Sequence, residues 1–219
     1  GLQHQDGHSP ILASTVPSVR TYDCAFAWEL AILVRFGIQR MFVEDHDELF
    51  YLMMYNESLT MPARPAHKDL DEGVVRGGYL LEPIAGAGPR VNLLGSGTIL
   101  FEVMQAAATL REEGYSVAVY SITSYVELAR DAERAEQAGT ADAEPAWLDT
   151  IFPETDVPTV AATDYVRALP RMIASWMPGA FMALGTDGFG MSERRSDLRA
   201  HFKVDAASIA DVARKVAAS

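Results

Sequence analysis

Arg90-Val91-Asn92-Leu93-Leu94-Gly95-Ser96-Gly97-Thr98-Ile99-Leu100 runs from an apolar strand through a glycine turn into a helix, and Ser116-Val117-Ala118-Val119-Tyr120-Ser121-Ile122 supplies a second apolar strand. Between them Ile99, Val103, Met104, Ala107 and Leu110 recur at helical spacing, and Gly114 closes a helix over about 99–113. A strand, a helix of that length and another apolar strand make a right-handed crossover between parallel neighbours.

Working outward, the same alternation continues. Strands are expected at 78–81, 159–163 and 181–184, with helices at about 125–138, 165–176, 194–202 and 206–217. Ser124 and Glu127 form a capping box for the first of these helices. Toward the amino end, Val19–Tyr22 reads as a strand, and Asp23 as the N-cap of an apolar helix from Ala25 to about Phe42. Apolar residues occupy nearly all faces of that helix, which predicts that it is sandwiched. Glu44, Asp45, Asp47 and Glu48 form a solvated turn, Phe50–Tyr55 is an apolar run of strand length, and Asn56–Asp71, with Pro62 and Pro65, reads as a linker. Residues 1–17 are loop-like. The fold class is α/β: a partial unit before about residue 66, then a complete doubly wound domain whose mostly parallel sheet is flanked by helices.

Composition narrows the function classes. Among 219 residues, 18 Lys and Arg face 30 Asp and Glu, a formal charge of −12 that repels phosphate backbones and anionic lipid surfaces, so neither nucleic acid nor membrane is an expected partner. Glu29, Arg35, Gln39 and Arg40 interrupt the longest apolar stretch, 25–42, which therefore does not span a bilayer. The single Cys24 has no intrachain partner and reads as a buried, inert thiol, pointing to a reducing compartment such as the cytoplasm. The first residues lack a signal peptide's basic region and lead directly into polar loop chemistry, as expected of a piece cut from something longer.

Four features invite a chemical reading. Gly95-Ser96-Gly97-Thr98 sits where an α/β fold cradles phosphates, but the dinucleotide fingerprint wants a glycine at Leu100 and a Walker loop wants a Lys-Ser/Thr ending; a tight turn with Ser or Thr capping the helix is the plainer expectation. Asp187, in Gly185-Thr186-Asp187-Gly188-Phe189-Gly190, either shapes its turn or meets a ligand. His46, His67 and His201 sit in polar surroundings. His4 and His8, with Asp6 between them, lack zinc-site spacing and suit proton transfer or hydrogen bonding to a carbonyl oxygen.

The string Gly1-Leu2-Gln3-His4-Gln5-Asp6-Gly7-His8-Ser9 resembles the pocket loop of homodimeric, thiamine-diphosphate-dependent pyruvate dehydrogenases of the transketolase superfamily. Tyr22-Asp23, Met61-Pro62, Leu93 to Leu100, Ser124 to Asp131, Ala162-Thr163-Asp164-Tyr165, Leu184 to Gly190, His201-Phe202 and Val204-Asp205 follow in that family's order. The resemblance implies that 1–60 ends a pyrimidine-binding domain, 61–72 is a linker, and 73–219 is a transketolase-type C-terminal domain. It implies a catalytic role for His4 at the substrate-derived oxygen or acetyl intermediate, and places Asp6 and His8 in the same pocket loop. At Pro10 the family commonly carries another His, so no role transfers there.

By the same resemblance, the complete enzyme uses thiamine diphosphate and magnesium, is a homodimer, and works with a dihydrolipoyl acyltransferase. The family's Gly-Asp-Gly motif with a downstream Asn does not occur here: Asp6-Gly7 and Asp187-Gly188 lack the preceding Gly, and the asparagines are Asn56 and Asn92. The chain alone is therefore expected to be inactive, to bind no cofactor or metal, and to need the N-terminal domains. Three other readings stay open: a different 2-oxo acid dehydrogenase or transketolase-like enzyme, a natural split subunit, and a non-catalytic module for dimerisation and partner docking.

Overall fold

The computed structural model describes residues 6–66, 69–139 and 144–218. Its first unit pairs two parallel strands, β1 (Val19–Asp23) and β2 (Leu49–Met53). A short helix α1 (Ser9–Ser14), with Pro10 in its first turn, precedes them, and α2 (Ala27–Ile38) crosses between them. Past Ile38 the helix widens into a π turn over Gln39–Val43 before the acidic turn.

Asp23 does not cap α2. It ends β1, its carboxylate is engaged elsewhere, and the backbone stays extended through Phe26. Glu29 closes this helix end instead, its Oε2 accepting the N–H groups of Ala25 and Phe26 at 2.8 and 2.9 Å. Nor is α2 sandwiched within this chain. Glu29, Ile32, Leu33 and Gly37 face inward, whereas Ala27, Ala31, Val34 and Ile38 form an open apolar face.

Residues 54–66 carry no regular structure, but the expected linker ends in a helix, α3 (Leu70–Arg76). Leu70 and Val74 bury against Tyr22, Leu33 and Tyr79, so α3 joins the two units. Left-handed Gly77, at φ 106°, terminates it.

The second unit is a five-stranded sheet in the order β3-β5-β4-β6-β7: Tyr79–Ala85, Ser116–Ser121, Arg90–Gly95, Thr159–Ala162 and Phe181–Leu184. All neighbours are parallel except β3, which runs antiparallel to β5 at the edge. On one face Leu93, Val119 and Val160 pack against α4 (Ile99–Glu112) and α9 (Ala206–Ala217). On the other, Leu94, Ala118 and Ala161 pack against α5 (Tyr125–Ala138) and α6 (Trp147–Ile151). Ser124 caps α5 as expected, accepting the Glu127 N–H at 3.0 Å. The expected helix 165–176 is instead one α turn, α7 (Ala168–Arg171), then a 3₁₀ turn at Ala174–Trp176; α8 spans Arg195–Phe202. Among the described residues, no helix is long and apolar enough to cross a membrane.

Two consequences of this topology position the site. Strands β4 and β6 are neighbours, yet the chain leaves β4 toward β5 and leaves β6 toward β7, which opens a crevice at their carboxyl ends. The first unit closes over that crevice, with Asp23 N–H bonded to the Thr123 carbonyl at 2.7 Å and Gly97 N–H to the Asp23 carbonyl at 3.2 Å.

Candidate functional site

A cavity of about 480 Å³ occupies this crevice. The end of β2 contributes Tyr51 to Tyr55, the strand ends of the second unit contribute Thr98, Asp164 and Thr186, α8 contributes Arg195 and Arg199, and Asp6 stands at its edge.

The Asp6 loop is held from three sides. Asp6 accepts the N–H groups of His8 and Ser9 at 3.3 and 3.0 Å and the Ser9 hydroxyl. Tyr51 donates to Ser9 Oγ at 3.0 Å, and Val166 N–H bonds the Gly7 carbonyl at 3.0 Å. Burial works against the Asp6 charge, but these hydrogen bonds outweigh it and hold the carboxyl below its ordinary range. His8 is exposed. His4 lies outside the described residues, as does His67.

Beneath the cavity lies Asp23, 4% exposed, whose Oδ1 accepts a hydrogen bond from the Tyr55 hydroxyl, while Oδ2 is buried without a partner among the described residues. Burial, reinforced by the charges of Asp164 and Glu29, pushes its carboxyl up to about 7. Gly97, at φ 50°, presses onto this pair: a Cβ there would lie 2.5 Å from the Tyr55 hydroxyl oxygen. The glycine turn is thus filled from above by Asp23 and Tyr55, and does not present an open phosphate cradle. Thr98 does not cap α4 either, because its hydroxyl donates to Asp164 Oδ2 at 3.0 Å. Burial raises the Asp164 carboxyl, opposed by Thr98 and Arg199. Arg199 itself bridges Glu57 at 2.7 Å and Glu102 at 3.1 Å.

Asp187 belongs to a different arrangement. It accepts the Arg167 backbone N–H at 2.9 Å and the guanidinium Nε at 2.6 Å, tying the turn after β7 to the turn after β6. Cys24 is buried, which pushes its thiol far up. Among the described residues no group of three or more His, Cys, Asp or Glu side chains is arranged to hold a metal ion. Tyr51, Tyr55, Asp164 and Arg199 escaped the sequence reading as site residues; Asp164 had a signal, an acid directly after an apolar strand, but the others are brought in by tertiary packing.

Residues 77–205 match the family model of the transketolase-like C-terminal domain. The chain belongs to this family. Residues 1–62 match the middle domain of the pyruvate dehydrogenase E1 component. Curated relatives agree: the pyruvate dehydrogenase E1 component of Corynebacterium glutamicum is 42% identical over 216 residues, covering 95% of this chain and 23% of the relative. That of Pseudomonas aeruginosa is 41% identical over 212 residues, covering 94% and 24%. The chain thus spans about a quarter of the length of these relatives. Transketolase from Leishmania mexicana shares the fold, with a TM-score of 0.71 at 17% identity over all of this chain and 28% of that one. A split gene transketolase, described as an inactive β4 tetramer, superposes with a TM-score of 0.65 at 14% identity, covering 100% and 64%.

Proposed function

We propose that this chain is the C-terminal part of a pyruvate dehydrogenase E1 component, which decarboxylates pyruvate on thiamine diphosphate and passes the acetyl group to the lipoyl group of a dihydrolipoyl acyltransferase. The observation that carries the reading is the match of residues 1–62 to the E1 middle domain, with its pocket loop clamped at the mouth of the 480 Å³ cavity. Domain limits of 1–60 and 73–219, with a linker between, accompany this proposal.

Because Asp6-Gly7 and Asp187-Gly188 both lack the preceding Gly of the family's diphosphate motif, the reading assigns the cofactor and magnesium to the N-terminal domains and assigns this chain alone no turnover. When bound, the cofactor supplies the carbanion chemistry. What this chain contributes is position and protons. His4 moves a proton at the substrate-derived oxygen, and Asp6, Ser9 and Tyr51 fix the loop that carries it. The open apolar face of α2, continued by Phe42 at 79% exposure, supports a homodimer. A cytoplasmic location goes with the same reading.

The test is turnover by the complete enzyme with thiamine diphosphate and magnesium, offered pyruvate, 2-oxoglutarate or a ketose phosphate, and a lipoyl domain as acceptor. Carbon dioxide release and lipoyl acetylation are expected with pyruvate. Turnover confined to 2-oxoglutarate or to the ketose would overturn the assignment in favour of a related enzyme, and failure of any turnover in favour of a docking module.

A further inference from the structure

A much smaller cavity, about 10 Å³, lies where the two units meet, between β1 and the start of α5. A space of that size admits one water molecule and little else. Its wall is apolar at Pro10 of α1, Met53 of β2, Val126 of α5 and Leu169 of α7. Two oxygens interrupt the apolar wall. Asp23 and Tyr125, 4% and 2% exposed, both line the cavity, and among the described residues neither Asp23 Oδ2 nor the Tyr125 hydroxyl has a hydrogen-bond partner.

Nearby hydroxyls are committed elsewhere. Thr123 donates to the Val74 carbonyl at 2.7 Å, Ser124 accepts the Glu127 N–H at 3.0 Å, and Ser96 pairs with Thr163 at 3.0 Å. Tyr55 holds the other Asp23 oxygen, Oδ1. Burial and, after it, the Asp23 charge push the Tyr125 phenol up, so the two groups act on each other across the space. A buried carboxylate oxygen and a buried phenol each cost stability when left unpaired, and cavities that stay empty in folded proteins are apolar.

We propose that this cavity binds a single water molecule that bridges Asp23 Oδ2 of the first unit to the Tyr125 hydroxyl of the second. Water donates to the carboxylate and accepts from the phenol, so one molecule satisfies both groups at once. When Oδ2 carries a proton, the same water accepts it and donates to the phenol oxygen. Two free oxygens fall short of the roughly six that a hard cation takes. The water is a joint between the units, beside Pro10 in the first turn of α1, and it is independent of the substrate assignment.

A crystal structure of the intact protein, at a resolution that shows ordered waters, is the direct test. One density peak is expected about 2.8 Å from both Asp23 Oδ2 and the Tyr125 oxygen. In solution, a long-lived water should give a nuclear Overhauser effect to the Val126 methyl groups. Tyr125→Phe, nearly isosteric, tests the sign of the hydroxyl's contribution. Deleting a hydroxyl that is bonded to water should lower the melting temperature by a few degrees, whereas deleting one stranded in a dry void should raise it. An empty cavity, a direct hydrogen bond from Tyr125 to Asp23, a peak with the coordination of a cation, or a higher melting temperature for Tyr125→Phe would each overturn the proposal.

Discussion

Tyr79 of β3 donates its hydroxyl to Glu29 of α2 at 2.7 Å, joining the two units through a carboxylate that solvent does not reach. Ser121 donates to the same Oε1 at 2.6 Å, while Oε2 holds the two backbone N–H groups at the start of α2. Burial raises the Glu29 carboxyl, and all four donors oppose that rise. Glu29→Ala strands these donors, so we expect a loss of about 3 kcal/mol in urea unfolding, against about 1 kcal/mol for Tyr79→Phe. A loss below about 1 kcal/mol for Glu29→Ala would show that the units do not depend on this junction.

Asp23 gives stability a pH dependence of calculable sign. Its carboxyl titrates near 7 in the folded chain, against an ordinary value of 3.8. Between these values the folded state keeps a proton that the unfolded state has released. Asp23's contribution is therefore fully present below pH 3.8, falls as the pH rises toward 7, and changes no further above that. The slope is at most about 1.4 kcal/mol per pH unit. Urea midpoints between pH 5 and pH 7 should fall for the parent chain and fall less for Asp23→Asn; parallel slopes would assign the titration to another group.

Gly97→Ala tests the contact over the same carboxyl. The substitution meets both a left-handed backbone and the Tyr55 and Asp23 oxygens, at 2.5 and 2.6 Å from the new Cβ. We expect a loss of about 2 kcal/mol by thermal or urea unfolding, combining strain with overpacking. A neutral Gly97→Ala would mean that the turn opens readily.

The crossover from β4 through α4 to β5 was legible because its apolar spacing, its closing glycine and its β-branched strand all agree. So were α5, which Ser124 caps, and α9. The misreadings have tertiary causes. Asp23 has the chemistry of a cap, but Tyr55, 32 residues away, takes its carboxylate. Strand β3 runs on through Pro83 to Ala85, past the expected end, because an edge strand with register shifts tolerates a proline. Helix α3 went unseen because Gly73 weakens its pattern, yet that glycine is required: a Cβ there would lie 2.7 Å from Tyr79 Cβ. Of the candidate site, the string pointed to Asp6, which lines the cavity, and to His8, which does not, whereas the cavity itself depends on chain reversal between β4 and β6 and on the placement of α8.

The bidentate hold of Asp187 on Arg167 accounts for this acid without a ligand. Both side chains are more than 40% exposed, so the pair is screened by solvent. Asp187→Ala should cost no more than about 1 kcal/mol and leave turnover of the complete enzyme near normal. Lost turnover at an unchanged melting temperature would move Asp187 into the chemistry.

His4 carries the sharpest expectation about catalysis. A developing alkoxide or acetyl oxygen needs a proton donor, and the loop that bears His4 is secured two residues later at Asp6, three at Gly7 and five at Ser9. In the complete enzyme, His4→Ala should reduce turnover by about 10²- to 10⁴-fold, the usual worth of a positioned acid or base. Stability should change by no more than about 0.5 kcal/mol, as for an ordinary loop substitution. Tyr51→Phe separates position from chemistry: it removes the hydroxyl that holds Ser9 while keeping His4 in the sequence, so its effect on turnover should be smaller and should not alter the pH profile that the proposal assigns to His4. His46→Ala is the control, since this exposed imidazole pairs with Glu44, at 3.5 Å, in the acidic turn. Near-normal pyruvate turnover and acetyl transfer by His4→Ala would leave the loop as a wall of the pocket, with the proton supplied from another segment.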